Sequence, residues 1–261
     1  MIKKIEYFLH KVFKNSTHVC CEKILKNLKN EDKKKTLLST LNTNSLYTLK
    51  NDIRFNKALH ASNLIVPDGI GTIVACRLLG LKIKNKISGS DIFYRLNDML
   101  NKHKNFKCFF FGSTKKTIKL VIKKMKVDYP NIKVTGFLSP PFKDNFNKTE
   151  TKKMINYINR HKADILWIAL TQPKQEIWAY ENLNRLNTKF IGSIGAVFDF
   201  YSGKIKRAPI FIQNLGLEWL FRIAQDPKRL WKRYLYSNFF FIFRLLPYII
   251  FYRLRILLFK H

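Results

Sequence analysis

The sequence predicts an α/β fold: a Rossmann-like, mostly parallel sheet with helices on both faces, followed by a C-terminal helical, membrane-associating appendage. Three observations predict it. Between about residues 36 and 195, short apolar runs alternate with longer stretches of helical periodicity. Those runs are almost continuously apolar, as strands covered on both faces should be. Beyond Gly203 the composition changes to basic residues interleaved with aromatic ones, with few acids.

The elements follow in order. "MIKKIEYFLHKVFK" is basic and lacks an uninterrupted apolar segment of signal-peptide length, so it predicts a short amphipathic helix. "TLLSTLN" reads as a strand, "NLIV" as the next, and "GTIVACRLLG" as a helix closed by Gly80. "FKCFFFGS" is a strand ending in a small-residue turn, and the helix "TKKTIKLVIKKM" after it carries an apolar stripe of Ile118, Val121, Ile122 and Met125. "IKVTGF", "DILWIAL" and "KFIGSIG" continue the strands, with helices expected near 150–161 and 174–186. The expected division is an α/β domain over 1–203 and an appendage over 204–261.

The 261 residues suffice for one large domain with a real core. The net charge of +32 points to a polyanionic or membrane partner, but the lysines are spread along the chain among Asn, Ile and Phe, which compositional bias explains equally well. Cys20, Cys21, Cys76 and Cys108 lack CxxC spacing and an accompanying His cluster, so neither a zinc site nor a disulfide framework is readable, and a reducing cytosol fits best.

A site in such a fold belongs beyond the C-terminal strand ends. There the sequence puts Thr40 and Asn42, then Asp68 in "VPDGIG", Gly112 and Ser113, and the "TQPKQE" stretch with Gln175. Each alone reads equally as a turn former; four on one edge predict a shared cleft. "GSTKKT" lacks the ending of a phosphate-binding loop, "DGIGTIVACRLLG" is not GxGxxG, and neither GxSxG, HExxH nor DxD occurs. The motifs therefore call for no metal and no cofactor.

Residues 204–261 hold Arg207, Arg222, Arg229, Arg233, Arg244 and further basic residues against only Glu218 and Asp226. "YLYSNFFFIF" and "LLPYIIFY" are apolar, yet Arg244 and Pro247 are expected to break them short of the roughly 20 residues of a spanning helix. The segment reads as a membrane-surface appendage; the alternative is a helical layer packed on the core. Aromatic and basic interleaving also suits single-stranded nucleic acid, although no recognisable nucleic-acid-binding motif is present.

Seven blocks, "STLN", "VPDGIG", "SGSDIF", "DYPNIKVTGFLSPPF", "DILWIALTQPKQEIW", "IGAVFDFYSGKIKRAP" and "QNLGLEWLFRIAQDPKRLWKRYL", resemble in order and spacing the WecB/TagA/CpsF glycosyltransferase family over about residues 36 to 240. The resemblance implies metal-independent, inverting transfer of a sugar (ManNAc, ManNAcA or a hexose) from a UDP-sugar donor to a polyprenyl-diphosphate-linked saccharide acceptor, at the cytoplasmic face of the bacterial membrane, in surface polysaccharide synthesis. Asp68 matches the family's proposed catalytic base; its local alternative is an N-cap of the helix after Gly69. Thr40 and Asn42 match a TxN element that contacts sugar or phosphate, Asn42 alternatively capping a helix at "NSLYTLKN". Gln175 matches a pocket amide that would donate to and accept from sugar hydroxyls, and Glu176 would hold its loop by a salt bridge.

Arg222, Arg229 and Arg233 match appendage arginines that grip diphosphate, Arg229 and Arg233 sharing a face four apart on a helix beginning at Pro227; binding of anionic lipid alone is the alternative. Arg207 would serve the same charge or hold a hinge. The chain departs from the family in having Lys86 where many members carry Arg, and Lys makes no bidentate fork. Thr171 stands in place of the usual Gly before the Pro-Lys-Gln-Glu block. "SPPF" and "PKRLWKRYL" look more like exopolysaccharide-type members, which leaves the donor sugar and the oligomeric state, homo-oligomer included, open. The rival is a non-enzymatic basic protein that binds nucleic acid or anionic membrane through charge, with affinity falling steeply as salt rises.

Overall fold

The computed structural model describes residues 2–30 and 34–258. Two N-terminal helices, α1 (Ile2–Lys11) and α2 (Thr17–Lys29), precede β1 (Thr36–Leu41), α3 (Thr43–Thr48), α4 (Ile53–Ala61), β2 (Leu64–Pro67), α5 (Ile70–Leu78) and α6 (Gly89–Asn101). Then come β3 (Lys107–Gly112), α7 (Lys115–Asp128), β4 (Lys133–Leu138), α8 (Lys148–Arg160), β5 (Ile165–Ala169), α9 (Lys174–Glu181), β6 (Phe190–Ser193) and α10 (Val197–Tyr201). The chain ends in α11 (Ile210–Asn214), α12 (Glu218–Gln225), α13 (Pro227–Phe240) and α14 (Leu246–Leu258).

Among the described residues the sheet has six strands in the order β2-β1-β6-β5-β3-β4, and every pair is parallel. Alternation along each strand divides the core. Leu38, Val66, Phe110, Trp167 and Phe190 face α2, α6, α7 and α10. On the other face, Leu37, Phe109, Phe111, Leu166 and Ile191 pack under α8 and α9, and Leu41 and Ile65 under α1, α4 and α5. The four inner strands and β2 are buried almost throughout, whereas the edge strand β4 is not, and it is the least apolar of the set. The chain leaves β1 toward one edge of the sheet and β3 toward the other, so a crevice opens above the C-terminal ends of the central strands.

Helix starts follow local chemistry. Ser88 with Asp91 and Asn147 with Glu150 form reciprocal caps on α6 and α8, and Gly80 at φ 82° ends α5. The helix expected over 174–186 stops at Glu181, because the Asn182 side chain donates to the Trp178 carbonyl and the chain tightens into a 3₁₀ turn at Leu183–Arg185.

Arg244 and Pro247 interrupt the apolar runs without ending the helix: α13 passes through a π-helical turn, Phe241–Leu245, directly into α14. A widened turn just ahead of Pro247 accommodates a residue that has no N–H to donate. Phe240, Phe241, Leu245 and Ile249 are buried together with Leu46, Ile73 and Cys76, so one face of this long helix belongs to the same core as α3 and α5. Its other face leaves Phe239, Phe243, Phe251 and Leu254 exposed. No helix among the described residues is long and apolar enough to cross a membrane. Residues 259–261 of the expected appendage lie outside the described residues.

Candidate active site

A cavity of about 750 Å³ fills the crevice, floored by strand-end loops and roofed by α12 and α13. Thr40, Asn42, Asp68, Ser113, Gln175, Arg222, Arg229 and Arg233 all line it, so sequence positions nearly 200 residues apart meet in one space.

Asp68 follows β2, and its N–H extends the ladder to the Leu41 carbonyl at 2.8 Å. Gly69, at φ 90°, is the residue that caps α5, and no side chain bonds to that helix start. The N-cap alternative for Asp68 is thereby excluded. Its carboxylate makes no hydrogen bond or ion pair to the described residues. Burial, assisted by the charges of Glu218 and Asp91 and opposed by Lys86 and Arg222, pushes its pKa up to about 6.

Asn42 lines the cavity and also caps α3: its Oδ1 accepts from Ser45 N at 3.0 Å and from Ser45 Oγ at 3.1 Å. Only its amide nitrogen stays free to meet a ligand. The Thr40 carbonyl is taken by Ser45 Oγ at 3.4 Å and by Gln172 Nε2 at 3.3 Å, so its hydroxyl is the group left for a ligand.

Gln175 was expected to offer a donor and an acceptor to sugar. Instead its Oε1 accepts the Gly195 N–H at 3.1 Å and its Nε2 donates to Glu176 Oε1 at 2.9 Å, with only 2% of the residue exposed. The amide is engaged on both sides and holds the β6 loop in place. Glu176 makes no salt bridge to the described residues: it is fully buried, takes both Gln172 and Gln175 amides on Oε1, and leaves Oε2 without a partner among them. Burial pushes its pKa up to about 7, against those amide bonds and the charge of Arg233.

Gly112 does not line the cavity. Its φ is 116°, and a Cβ there would lie 2.4 Å from the Ala169 carbonyl, so its place is against β5. Ser113, next along, does reach the cavity.

The arginines come from above. Arg222 lies on α12 with its guanidinium 5.5 Å from the Phe200 ring centre. Arg229 pairs with Asp226 at 2.6 Å, and Arg233 sits one turn further along α13 with its Nε unpartnered. Burial first, then the charges of Arg222 and Arg229, hold the Arg233 guanidinium below its usual pKa. Three cations gathered on one wall, of which only Arg229 has an acidic partner among the described residues, make a site that a polyanion would neutralise.

Arg207 does not join them. Its Nη2 is bound to Asp91 Oδ1 at 3.2 Å and to Ser88 Oγ at 3.2 Å, outside the cavity. Sequence reasoning counted Glu218 only as an acid of the C-terminal segment and weighed Lys86 only as a departure from Arg; both line the cavity, and they pair with each other at 3.0 Å. The signal for Glu218 was its place in the "GLEW" block, one helical turn before Arg222.

Comparison with known proteins agrees with this arrangement. The family model described as "Glycosyl transferase WecG/TagA/CpsF family" matches residues 7–255. A Bacillus subtilis (strain 168) protein named N-acetylglucosaminyldiphosphoundecaprenol N-acetyl-beta-D-mannosaminyltransferase is 34% identical over 200 residues, which cover 76% of this chain and 75% of the relative. A Bacillus spizizenii protein of the same name is 31% identical over 182 residues, 70% of this chain and 68% of the relative. The match runs through the strand-end loops and the arginine-bearing helices alike, and the chain belongs to the WecG/TagA/CpsF family of glycosyltransferases.

Proposed function

We propose that this glycosyltransferase moves N-acetylmannosamine, or a closely related hexose, from a UDP-sugar to a saccharide carried on a polyprenyl diphosphate at the inner face of the bacterial membrane. The observation that carries the reading is the pairing of one unpartnered, pKa-raised carboxyl on the cavity floor with three arginines on its roof. The names of the Bacillus relatives supply the sugar and the acceptor class.

In this reading the acceptor hydroxyl gives its proton to Asp68 as its oxygen attacks the anomeric carbon of the donor. The carbon–oxygen bond to the β-phosphate breaks on the opposite side, so the configuration inverts and UDP leaves with the bonding electron pair. A base whose pKa lies near 6 is largely ionised at neutral pH and still basic enough to help in the transition state. Arg222, Arg229 and Arg233 neutralise the charge that develops on the diphosphate, the work a metal performs in other nucleotide-sugar enzymes. Thr40 and the free Asn42 amide contact sugar or phosphate, and Gln175 keeps the Gly195 backbone in register with them.

The exposed aromatic and aliphatic face of α13 and α14, flanked by Arg and Lys, supports docking on an anionic lipid surface. A protein docked in that way would meet a lipid-linked acceptor at the membrane surface without a spanning helix.

The test is UDP release by the purified full chain on liposomes carrying polyprenyl-diphosphate-GlcNAc, over a panel of UDP-sugars, with Asp68→Asn alongside. Release with one donor, lost in the variant, supports the reaction and the base together. Full activity in Asp68→Asn removes Asp68 from the chemistry.

A further inference from the structure

A chain of four charges of alternating sign joins the C-terminal segment to the catalytic core. Asp91 pairs with Arg207 at 3.2 Å, Arg207 with Glu218 at 3.5 Å, and Glu218 with Lys86 at 3.0 Å. Asp91 and Lys86 belong to the core beside the start of α6; Arg207 and Glu218 belong to the segment that roofs the cavity. Among the described residues, every ion pair between the core and residues beyond 206 runs through this chain. Its members are only 22–30% exposed, so solvent screens them less than it screens an ordinary surface pair.

Glu218 sits at the junction. It opens α12, where a carboxylate also complements the helix N-terminus, and Arg222 follows one turn later on the same helix. Just before it, Gly216 at φ 74° lies so close to Ile70 that a Cβ would approach Ile70 Cγ2 to 2.7 Å. The 216–218 stretch thus rests on the turn that carries Asp68. A hydrophobic contact could hold a helix there; it would not fix the direction in which Arg222 points.

We propose that Glu218 is a positioning residue for the transfer reaction: by pairing with Lys86 and Arg207 it holds α12, and with it Arg222, over the Asp68 turn. The inference rests on the reading of Asp68 and the arginines given above. Glu218 touches neither donor nor acceptor in this role. It determines whether the arginine wall and the base stand on opposite sides of one cavity or drift apart. The same carboxylate, with Asp91, raises the Asp68 pKa against Lys86 and Arg222, so its removal has a second consequence that loosening of the roof alone does not.

The experiment compares Glu218→Gln, Glu218→Asp, Lys86→Met and the double variant Glu218→Gln/Lys86→Met. UDP binding is measured by calorimetry, and kcat/KM is measured from pH 5 to 8 on acceptor liposomes. Glu218→Gln should weaken UDP binding about tenfold, the scale expected for loss of a partly buried charged hydrogen bond. The double variant should be no weaker than the worse single one, because the two residues act through one contact. Glu218→Asp should recover most of the binding, and the acid limb of kcat/KM should move to lower pH in Glu218→Gln. Should Glu218→Gln fold poorly, Glu218→Asp and Lys86→Met carry the comparison. Wild-type UDP affinity in Glu218→Gln, additive losses in the double variant, or an unmoved acid limb would overturn the proposal. Because UDP binding needs no turnover, that arm reads the latch even if Asp68→Asn proves active and the assignment of the base fails.

Discussion

Gln175 Oε1 accepts the backbone N–H of Gly195 at 3.1 Å, and this bond ties the first turn of α9 to the loop after β6 at the floor of the cavity. On the other side of the amide, Glu176 Oε1 takes the Gln175 nitrogen at 2.9 Å. The bond to Glu176 is buried and that to Gly195 partly so, and each is costly to leave unmade. Gln175→Ala should therefore lower kcat by about ten- to a hundredfold while raising donor KM less, since the side chain orders the floor rather than gripping UDP. Initial-rate kinetics at varied donor concentration separates the two; a change in KM alone would return Gln175 to direct donor binding.

A base with its pKa near 6 gives a definite pH profile: kcat/KM should fall as pH drops through about 6, because a protonated carboxyl cannot accept the acceptor's proton. Stability moves the opposite way. The folded-state pKa of Asp68 lies above the ordinary 3.8, so the folded protein binds the proton more tightly, and this contribution is lost as pH rises through that window. Asp68→Asn should then be inactive yet more stable than wild type at pH 7, by up to about 3 kcal/mol. Urea unfolding of the two proteins at pH 5 and pH 7 checks the sign, the gain being larger at pH 7.

Gly112 has a positive φ and no room for a Cβ, which would meet the Ala169 carbonyl. Gly112→Ala should cost about 2–4 kcal/mol, combining backbone strain with a clash against a strand that cannot yield cheaply. Gly203, also at positive φ but with nothing within 4 Å, should lose only the strain component in Gly203→Ala. Denaturant midpoints of the two variants give the comparison directly.

The outer face of the long C-terminal helix exposes Phe239 by 58%, Phe243 by 63% and Phe251 by 69%. Changing all three to Ser should leave the melting temperature near wild type, since none of them packs in the core, and should weaken binding to anionic vesicles by about 100-fold. Vesicle co-sedimentation at two salt concentrations also addresses the charge-only rival. That rival expects binding to vanish with salt whether or not the aromatics are present.

Much of this architecture is legible in local sequence. The runs "TLLSTL", "KCFFFG" and "ILWIA" became parallel strands of one sheet because nearly unbroken apolar segments can be satisfied only under helices on both faces. The place of Asp68 at the cavity was legible because strand-end turns collect on one edge of a parallel sheet, whereas the turn by itself reads equally as a turn former. Asn42 lines the cavity and caps the helix at "NSLYTLKN", the alternative its residue type offered, whereas Gln175 lines the cavity with its amide turned to the protein. The residue type of Gln175 says that it hydrogen-bonds, while its partner, Gly195, lies 20 residues away in another loop. Arg244 and Pro247 were expected to keep the apolar runs short of a spanning length, and no described helix is long and apolar enough to cross a membrane, although a π-helical turn carries the helix past both residues.

The sequence alone thus determined the order of strands and helices, the edge on which the polar residues collect, and the acid at the end of β2, because periodicity and turn chemistry act over a few residues. Only the tertiary structure decided that the C-terminal helices share the core through Phe241 and Leu245, that the Gln175 amide is spent on the protein itself, and that Glu218 reaches Lys86. Those outcomes depend on which distant surfaces meet, and the free energy of such a meeting is set by burial and charge pairing between segments that carry no trace of one another in local sequence.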